Sequence, residues 1–176
     1  MRSRPPALST PRLKLRAHRL EDLPACAKMW ADPKVVRFIG GQPFNVQQSW
    51  SKILAYAGMW VMKGYGFWAV EEKASGKFVG ELGFADFQRD IKPSFKGAPE
   101  LGWAFASEAH GKGYATEALR AILKWGDKRL DAERVVCIID PAHAASVRVA
   151  EKCGFKKARP AVYRGAPTVI YERRRA

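Results

Sequence analysis

The stretch from Leu101 to Ala118 restricts the possible folds more than any other part of the chain. It reads Leu101-Gly102-Trp103-Ala104-Phe105-Ala106-Ser107-Glu108-Ala109-His110-Gly111-Lys112-Gly113-Tyr114-Ala115-Thr116-Glu117-Ala118. An apolar run of strand length passes through a glycine-rich turn into a helix. The helix shows in Ala115, Ala118, Leu119, Ile122, Leu123 and Gly126, which recur at helical spacing. The first turn of a helix carries unpaired N–H groups and a partial positive charge. Glycines let such amides approach a phosphate with no Cβ in the way, and Lys112 adds a cation. The bland alternative is an ordinary tight strand–helix turn.

Two familiar phosphate loops do not fit. A Walker A loop needs G-x-x-x-x-G-K-[ST]; here Gly113 follows Lys112, and Ala106 stands where the first glycine belongs. The dinucleotide fingerprint G-x-G-x-x-G comes closer, with Gly111 and Gly113, but Thr116 takes the third glycine position. The unit also lies late in the chain, with no further strand–helix–strand repeats to build a dinucleotide sheet.

Around the junction the order of elements is mixed. Strands are predicted at residues 12–16, 67–72, 78–84, 100–105, 135–139, 155–163 and 168–171, and helices at 20–30, 46–62, after Gly113, and from Asp140-Pro141 to Cys153. In the last helix Asp140 is the expected N-cap and Pro141 the first helical residue. Residues 89–99 hold two prolines and Gly97 and are expected as a loop over the substrate. The pattern predicts one mixed α/β domain over residues 11–176, preceded by a disordered lead-in over 1–10. Its sheet has about seven mostly antiparallel strands, with about four helices on both faces.

The chain has 176 residues, 47% of them apolar, enough for one substantial core. No stretch has the apolar length needed to span a membrane. The cysteines, Cys26, Cys137 and Cys153, are scattered and form no C-x-x-C, which fits buried thiols in a reducing cytoplasm. With only three histidines besides, no metal-ligand spacing appears and no metal is expected. The net charge of +14 attracts anions without choosing among them. Lysines and arginines are spread along the chain, so nucleic acid or a ribosome is expected to matter only indirectly. Arg173, Arg174 and Arg175 are expected as a solvated tail.

The segment His110-Gly111-Lys112-Gly113-Tyr114-Ala115 resembles the Arg/Gln-x-x-Gly-x-Gly/Ala cofactor motif of the GNAT N-acetyltransferases, with His110 in place of Arg/Gln. Three further stretches resemble the branch that acetylates the N-termini of ribosomal proteins. These are Gly113-Tyr114-Ala115-Thr116-Glu117-Ala118-Leu119, the run from Asp140 through Ser146 to Phe155, and the opening Thr10-Pro11-Arg12-Leu13. In that branch Asn usually stands where His143 is found. The resemblance spans nearly the whole chain. It implies acetyl-CoA as cosubstrate, held by the loop residues His110, Gly111, Lys112, Gly113, Tyr114, Ala115 and Thr116. It implies a splayed strand whose residues Phe105, Ala106 and Ser107 meet the pantetheine arm, with an N–H there available for the oxyanion. It also implies a contact from Ser146; His143 either contacts the cofactor in place of the usual Asn or simply sits at the helix start.

Ser146 shares a helical face with Val149, Ala150 and Cys153. A buried hydroxyl needs a partner, either the carbonyl four residues earlier or, as the resemblance implies, the departing cofactor sulfur. Direct attack by an amine also needs a proton acceptor. Glu100 and Glu81 lie in apolar strands, and Glu100, at the start of the cofactor strand, is the favoured base. The acceptor stays open among a protein N-terminus, an amino sugar, a polyamine and a drug, as does the oligomeric state. A non-catalytic CoA- or ribosome-binding module with the same fold is the rival reading.

Overall fold

The computed structural model describes residues 4–175. Nine strands form one sheet in the order β1-β2-β3-β4-β6-β7-β9-β8-β5. They are β1 (Leu8–Ser9), β2 (Leu13–Arg16), β3 (Phe67–Glu72), β4 (Phe78–Ala85), β5 (Ile91–Lys92), β6 (Glu100–Phe105), β7 (Arg134–Ile139), β8 (Lys156–Tyr163) and β9 (Ala166–Arg174). Every neighbouring pair is antiparallel except β6 with β7. Five α-helices cover the sheet: α1 (Leu23–Ala31), α2 (Pro33–Val36), α3 (Val46–Lys63), α4 (Tyr114–Arg129) and α5 (Ala144–Lys152).

Alternation along the strands sorts side chains between two faces. On one, Leu82, Phe84, Leu101 and Phe105 pack with Ala118, Leu119, Ile122 and Leu123 of α4 and with Ala150 and Cys153 around α5. The four α4 side chains are buried to 4% exposure or less. Burying each larger apolar side chain contributes roughly 1.5–3 kcal/mol, which explains why the helical spacing is so regular in the sequence. On the opposite face Ala104 packs with Met29, Trp30, Val35 and Val36 of α1 and α2. The 89–99 segment packs through Ile91 and Phe95 on Val136, Ala161 and Ile170, and Tyr56 of α3 packs on Phe67 and Ala85.

The central strands separate where the chain first turns parallel. β4 and β6 pair over six positions, from Ala85 with Glu100 to Gly80 with Phe105. β6 and β7 share one pair, Glu100 with Val136, next to the bond from the Val136 N–H to the Pro99 carbonyl (3.0 Å). Beyond Glu100 the second edge of β6 has no strand on it.

Several expectations are corrected. The sheet has nine strands rather than about seven, because the two-residue strands β1 and β5 are too short to show a period. β1 pairs Leu8 with Leu15 and Ser9 with Lys14, so the lead-in is anchored there; Met1–Ser3 lie outside the described residues. α5 begins at Ala144 with His143 as N-cap, not at Pro141, because the Asp140 carboxylate accepts the Ala142 N–H (2.8 Å) and holds a turn first. Arg173 is not a solvated tail residue: it lies in β9 and pairs with both oxygens of Asp127 at 2.7 Å.

Candidate active site

The glycine-rich turn is built as its sequence demands. Gly111 and Gly113 have φ of +75° and +78°, in the left-handed region that glycine enters without a Cβ penalty. A Cβ on Gly111 would meet nothing within 4 Å, so the turn presents open backbone. Gly113 is the N-cap of α4 and supplies no side-chain cap. The N–H groups of Tyr114, Ala115 and Thr116 therefore form an uncapped first turn. Tyr114 contributes its backbone here; its ring is buried and its hydroxyl donates to Glu72. The Lys112 ammonium is half-exposed, 3.9 Å from Glu72.

The turn is stapled to the start of the chain. Glu117 accepts from the Thr10 hydroxyl (2.6 Å) and from the N–H (2.9 Å) and Nε (2.7 Å) of Arg12. Nη1 of Arg12 donates to the Lys112 carbonyl (2.9 Å). Thr10 and Arg12 are thereby tied to Glu117, more than a hundred residues away in the chain. Burial opposes the Glu117 charge, but the Thr10 and Arg12 bonds hold its carboxyl below its ordinary pKa.

The Ala106 N–H donates to the Val79 carbonyl (3.0 Å). Antiparallel alternation then turns the N–H and C=O of Phe105 and Trp103 toward the open edge of β6. Of the three residues expected on the pantetheine arm, Phe105 thus presents its backbone to the gap, while the Ala106 amide is committed to β4. Ser107 donates its hydroxyl to Asp32 (2.6 Å), clasping α2 to the end of the cofactor strand. His110 Nε2 lies 2.8 Å from the Phe105 carbonyl, so the residue in place of Arg/Gln braces the loop against the strand.

Across the gap stands the start of α5. Ser146 is buried, and its Oγ lies 3.4 Å from Nε2 of His143 rather than on the carbonyl of Ala142. The His143 ring stacks on Phe38, centroids 4.5 Å apart and planes at 19°. Phe38 follows α2, so the α2–α3 connection closes over the gap.

The two carboxylates predicted from sequence lie on the α1/α3 face. Glu81 is fully buried. One oxygen accepts from Trp30 Nε1 and the Tyr56 hydroxyl, both at 2.9 Å. The other meets His18 Nε2 at 3.2 Å and the Cys26 thiol at 3.8 Å. Burial works against its charge, but His18, Lys52 and Tyr56 keep its pKa below the usual carboxylate value. His18, Cys26 and Glu81 are the one group among the described residues with metal-ligand chemistry, and their hydrogen bonds already tie them together as a network. Lys52 reaches over the Trp30 ring, 4.2 Å from its centroid; burial lowers its pKa and Glu81 opposes that. Glu100 is held bidentately by Arg89 at 2.6 and 2.9 Å. Arg89 also donates to the Tyr163 hydroxyl (2.9 Å). Beside this pair the 85–98 segment encloses a cavity of about 160 Å³.

The loop residues, Phe105, His143 and Ser146 thus surround one slot, whereas Glu100 is occupied by Arg89 to one side of it. Sequence reasoning missed Arg89, Asp32 and Phe38, for a lone residue in a loop carries no periodic or motif signal. The slot fits an extended thioester cofactor: an open strand edge for amides, and a glycine turn with uncapped N–H groups for its diphosphate.

Residues 12–156 match the family model described as an acetyltransferase (GNAT) domain. YkkB, an uncharacterized protein of Bacillus subtilis (strain 168), is 36% identical over 114 residues; the match covers 64% of each chain, so this chain spans a little under two thirds of that relative. A solved structure from Bordetella pertussis assigned to the GnaT acetyltransferase family superposes with a TM-score of 0.84 at 31% identity, covering 96% of this chain and 99% of that one. RimL, a ribosomal-protein α-N-acetyltransferase solved with coenzyme A, shares the fold at 16% identity and a TM-score of 0.77, over 96% and 98% of the two chains.

Proposed function

The chain belongs to the GNAT acetyltransferase family, and from that premise we propose that it moves the acetyl group of acetyl-CoA to a primary amine, with the α-amino group of a peptide or protein as acceptor. The observation that carries the reading is the slot. β6 and β7 part after their single pair, and the open edge leads straight into the Gly111–Gly113 turn and the uncapped start of α4.

Bound there, acetyl-CoA supplies an activated acetyl thioester. The chain's own groups then divide the work. The N–H groups from Gly111 to Thr116 hold the diphosphate, aided by the helix charge and the Lys112 ammonium. The open edge at Trp103 takes the amides of the arm as a neighbouring strand would, while the Phe105 carbonyl stays on His110 and Phe105 keeps only its amide free. That N–H, facing the gap, is in place to stabilise the oxyanion that forms when the amine attacks. Ser146, buried on the far wall, donates to the sulfur as it leaves. The described residues act as one domain, with β1 part of its sheet, and its buried free thiols suit a reducing cytoplasm. Among the described residues no helix is long and apolar enough to cross a membrane.

The choice of acceptor follows from charge and proton affinity. An α-amine has a reference pKa of about 7.7–8.0, against about 10.4 for lysine, so it needs little help to lose its proton near neutral pH. The net charge of +14 repels free polyamines at long range. The test sets a peptide with only a free N-terminus against one with only a free lysine, spermidine and an aminoglycoside, reading CoA release. Fastest turnover of the free N-terminus is expected. Faster turnover of either small polyamine overturns the acceptor, and no CoA release with any amine overturns the enzyme.

A further inference from the structure

Resting on that reading, we propose that His143 is the proton-transfer residue of this site, carrying the amine's proton across its ring to Ser146 and so to the departing thiolate. Elimination gives the first argument. The carboxylates on the amine's side are engaged: Glu100 by both nitrogens of Arg89, Glu81 by Trp30, Tyr56 and His18. His110 is spent on the Phe105 carbonyl. His143 has one ring nitrogen, Nε2, 3.4 Å from the Ser146 hydroxyl. Its Nδ1 makes no hydrogen bond among the described residues.

Placement gives the second argument. His143 caps α5 on the slot wall and is stacked under Phe38, from the connection that lies over the acceptor side. In this proposal it stands between acceptor and leaving group, joined to Ser146 on one side and to Phe38 on the other. The charges around it come from three elements: Asp140 on its own segment, His110 from the loop before α4, and Arg37, whose guanidinium lies 5.1 Å from the Phe38 ring. Burial pushes the imidazole below its ordinary pKa; Asp140 opposes this and His110 adds to it. A neutral ring at pH 7 is the form able to accept a proton.

The step balances. The amine lone pair forms the C–N bond at the thioester carbonyl, and the C–S bond breaks with its electrons leaving on sulfur. The extra proton on nitrogen goes to Nδ1 of His143. The Nε2 proton passes to the Ser146 oxygen as the Ser146 proton passes to sulfur. The products are an amide and a free thiol, and the imidazole is left neutral as its other tautomer.

The test uses the full chain and its His143→Asn, His143→Ala, Ser146→Ala and Phe38→Ala variants. NMR titration of the parent should give His143 a pKa below that of a free imidazole, and Phe38→Ala should raise it. The acid limb of kcat/KM should fall at that same pKa. His143→Asn should lose the limb and about 100-fold in kcat, with CoA affinity by calorimetry within about twofold because only the transition state is affected. Ser146→Ala should lower kcat likewise, and added imidazole should partly restore His143→Ala. The proposal is overturned if the limb persists in His143→Asn, if imidazole restores nothing, or if weaker CoA binding accounts for the whole loss. A parent chain that binds CoA yet acetylates no amine overturns the underlying reading, and this step with it.

Discussion

Glu81 is placed to hold the acceptor-side helices on the sheet, and its removal should be felt first as lost stability. In Glu81→Ala the Trp30 and Tyr56 donors, each at 2.9 Å from the carboxylate, are left buried without an acceptor. Stranding a buried donor costs about 1–3 kcal/mol, and the space vacated by the side chain adds a cavity cost. The two donors together give about 2–6 kcal/mol. At roughly 2–4 °C per kcal/mol for a chain of this size, the melting temperature should fall by about 4–24 °C. Glu81→Gln keeps an oxygen for both donors and should cost only about 1–2 kcal/mol. The folded pKa of Glu81 is lowered, so its contribution is full above the unfolded carboxylate value and is lost as pH falls through the folded one. The gap between parent and Ala variant should accordingly narrow in acid. Calorimetric melts at pH 7 and pH 4 measure all of this. An Ala variant melting within about 2 °C of the parent at pH 7, or a Gln variant as damaged as Ala, would refute the reasoning.

Two further outcomes concern the cofactor turn. Gly113→Glu forces a side chain into the left-handed region at φ +78° and puts a carboxylate at the uncapped N-terminus of α4, so calorimetry should show at least about a tenfold loss in CoA affinity; unchanged affinity in the folded variant would displace the diphosphate from this turn. Glu117→Gln should weaken the staple to Thr10 and Arg12 by about 1–2 kcal/mol and, by loosening the Lys112 carbonyl, lower CoA affinity as well, whereas a pure stability loss would confine the staple to folding.

The elements with a long period were legible in the sequence. α4 shows its buried face at Ala118, Leu119, Ile122, Leu123 and Gly126, and the strands at 67–72 and 100–105 are found at those bounds. The glycine turn and the helix start after it were legible too, because glycines leave a local trace; the parting of β6 from β7 entered only as what the family resemblance implies. What escaped was decided at long range. Whether Glu100 is free depends on Arg89, eleven residues away on a loop. Whether Ser146 bonds backward depends on His143, whose ring is turned by Phe38 from the far side of the sheet. The start of α5 was misplaced because Asp140 closes an Asx-type turn, an option as local as the N-cap it displaced.

The single pair between β6 and β7 also has a mechanical meaning. The sheet is two plates joined at one rivet, Glu100 with Val136, and backed by α4. Plates coupled so narrowly twist against each other more softly than a continuous sheet. A ligand laid along the seam acts as a splint, adding backbone bonds where the protein has none. Ligand binding and stiffening of the molecule are then the same event, and the slot is most compliant just when it must admit a long, flexible arm.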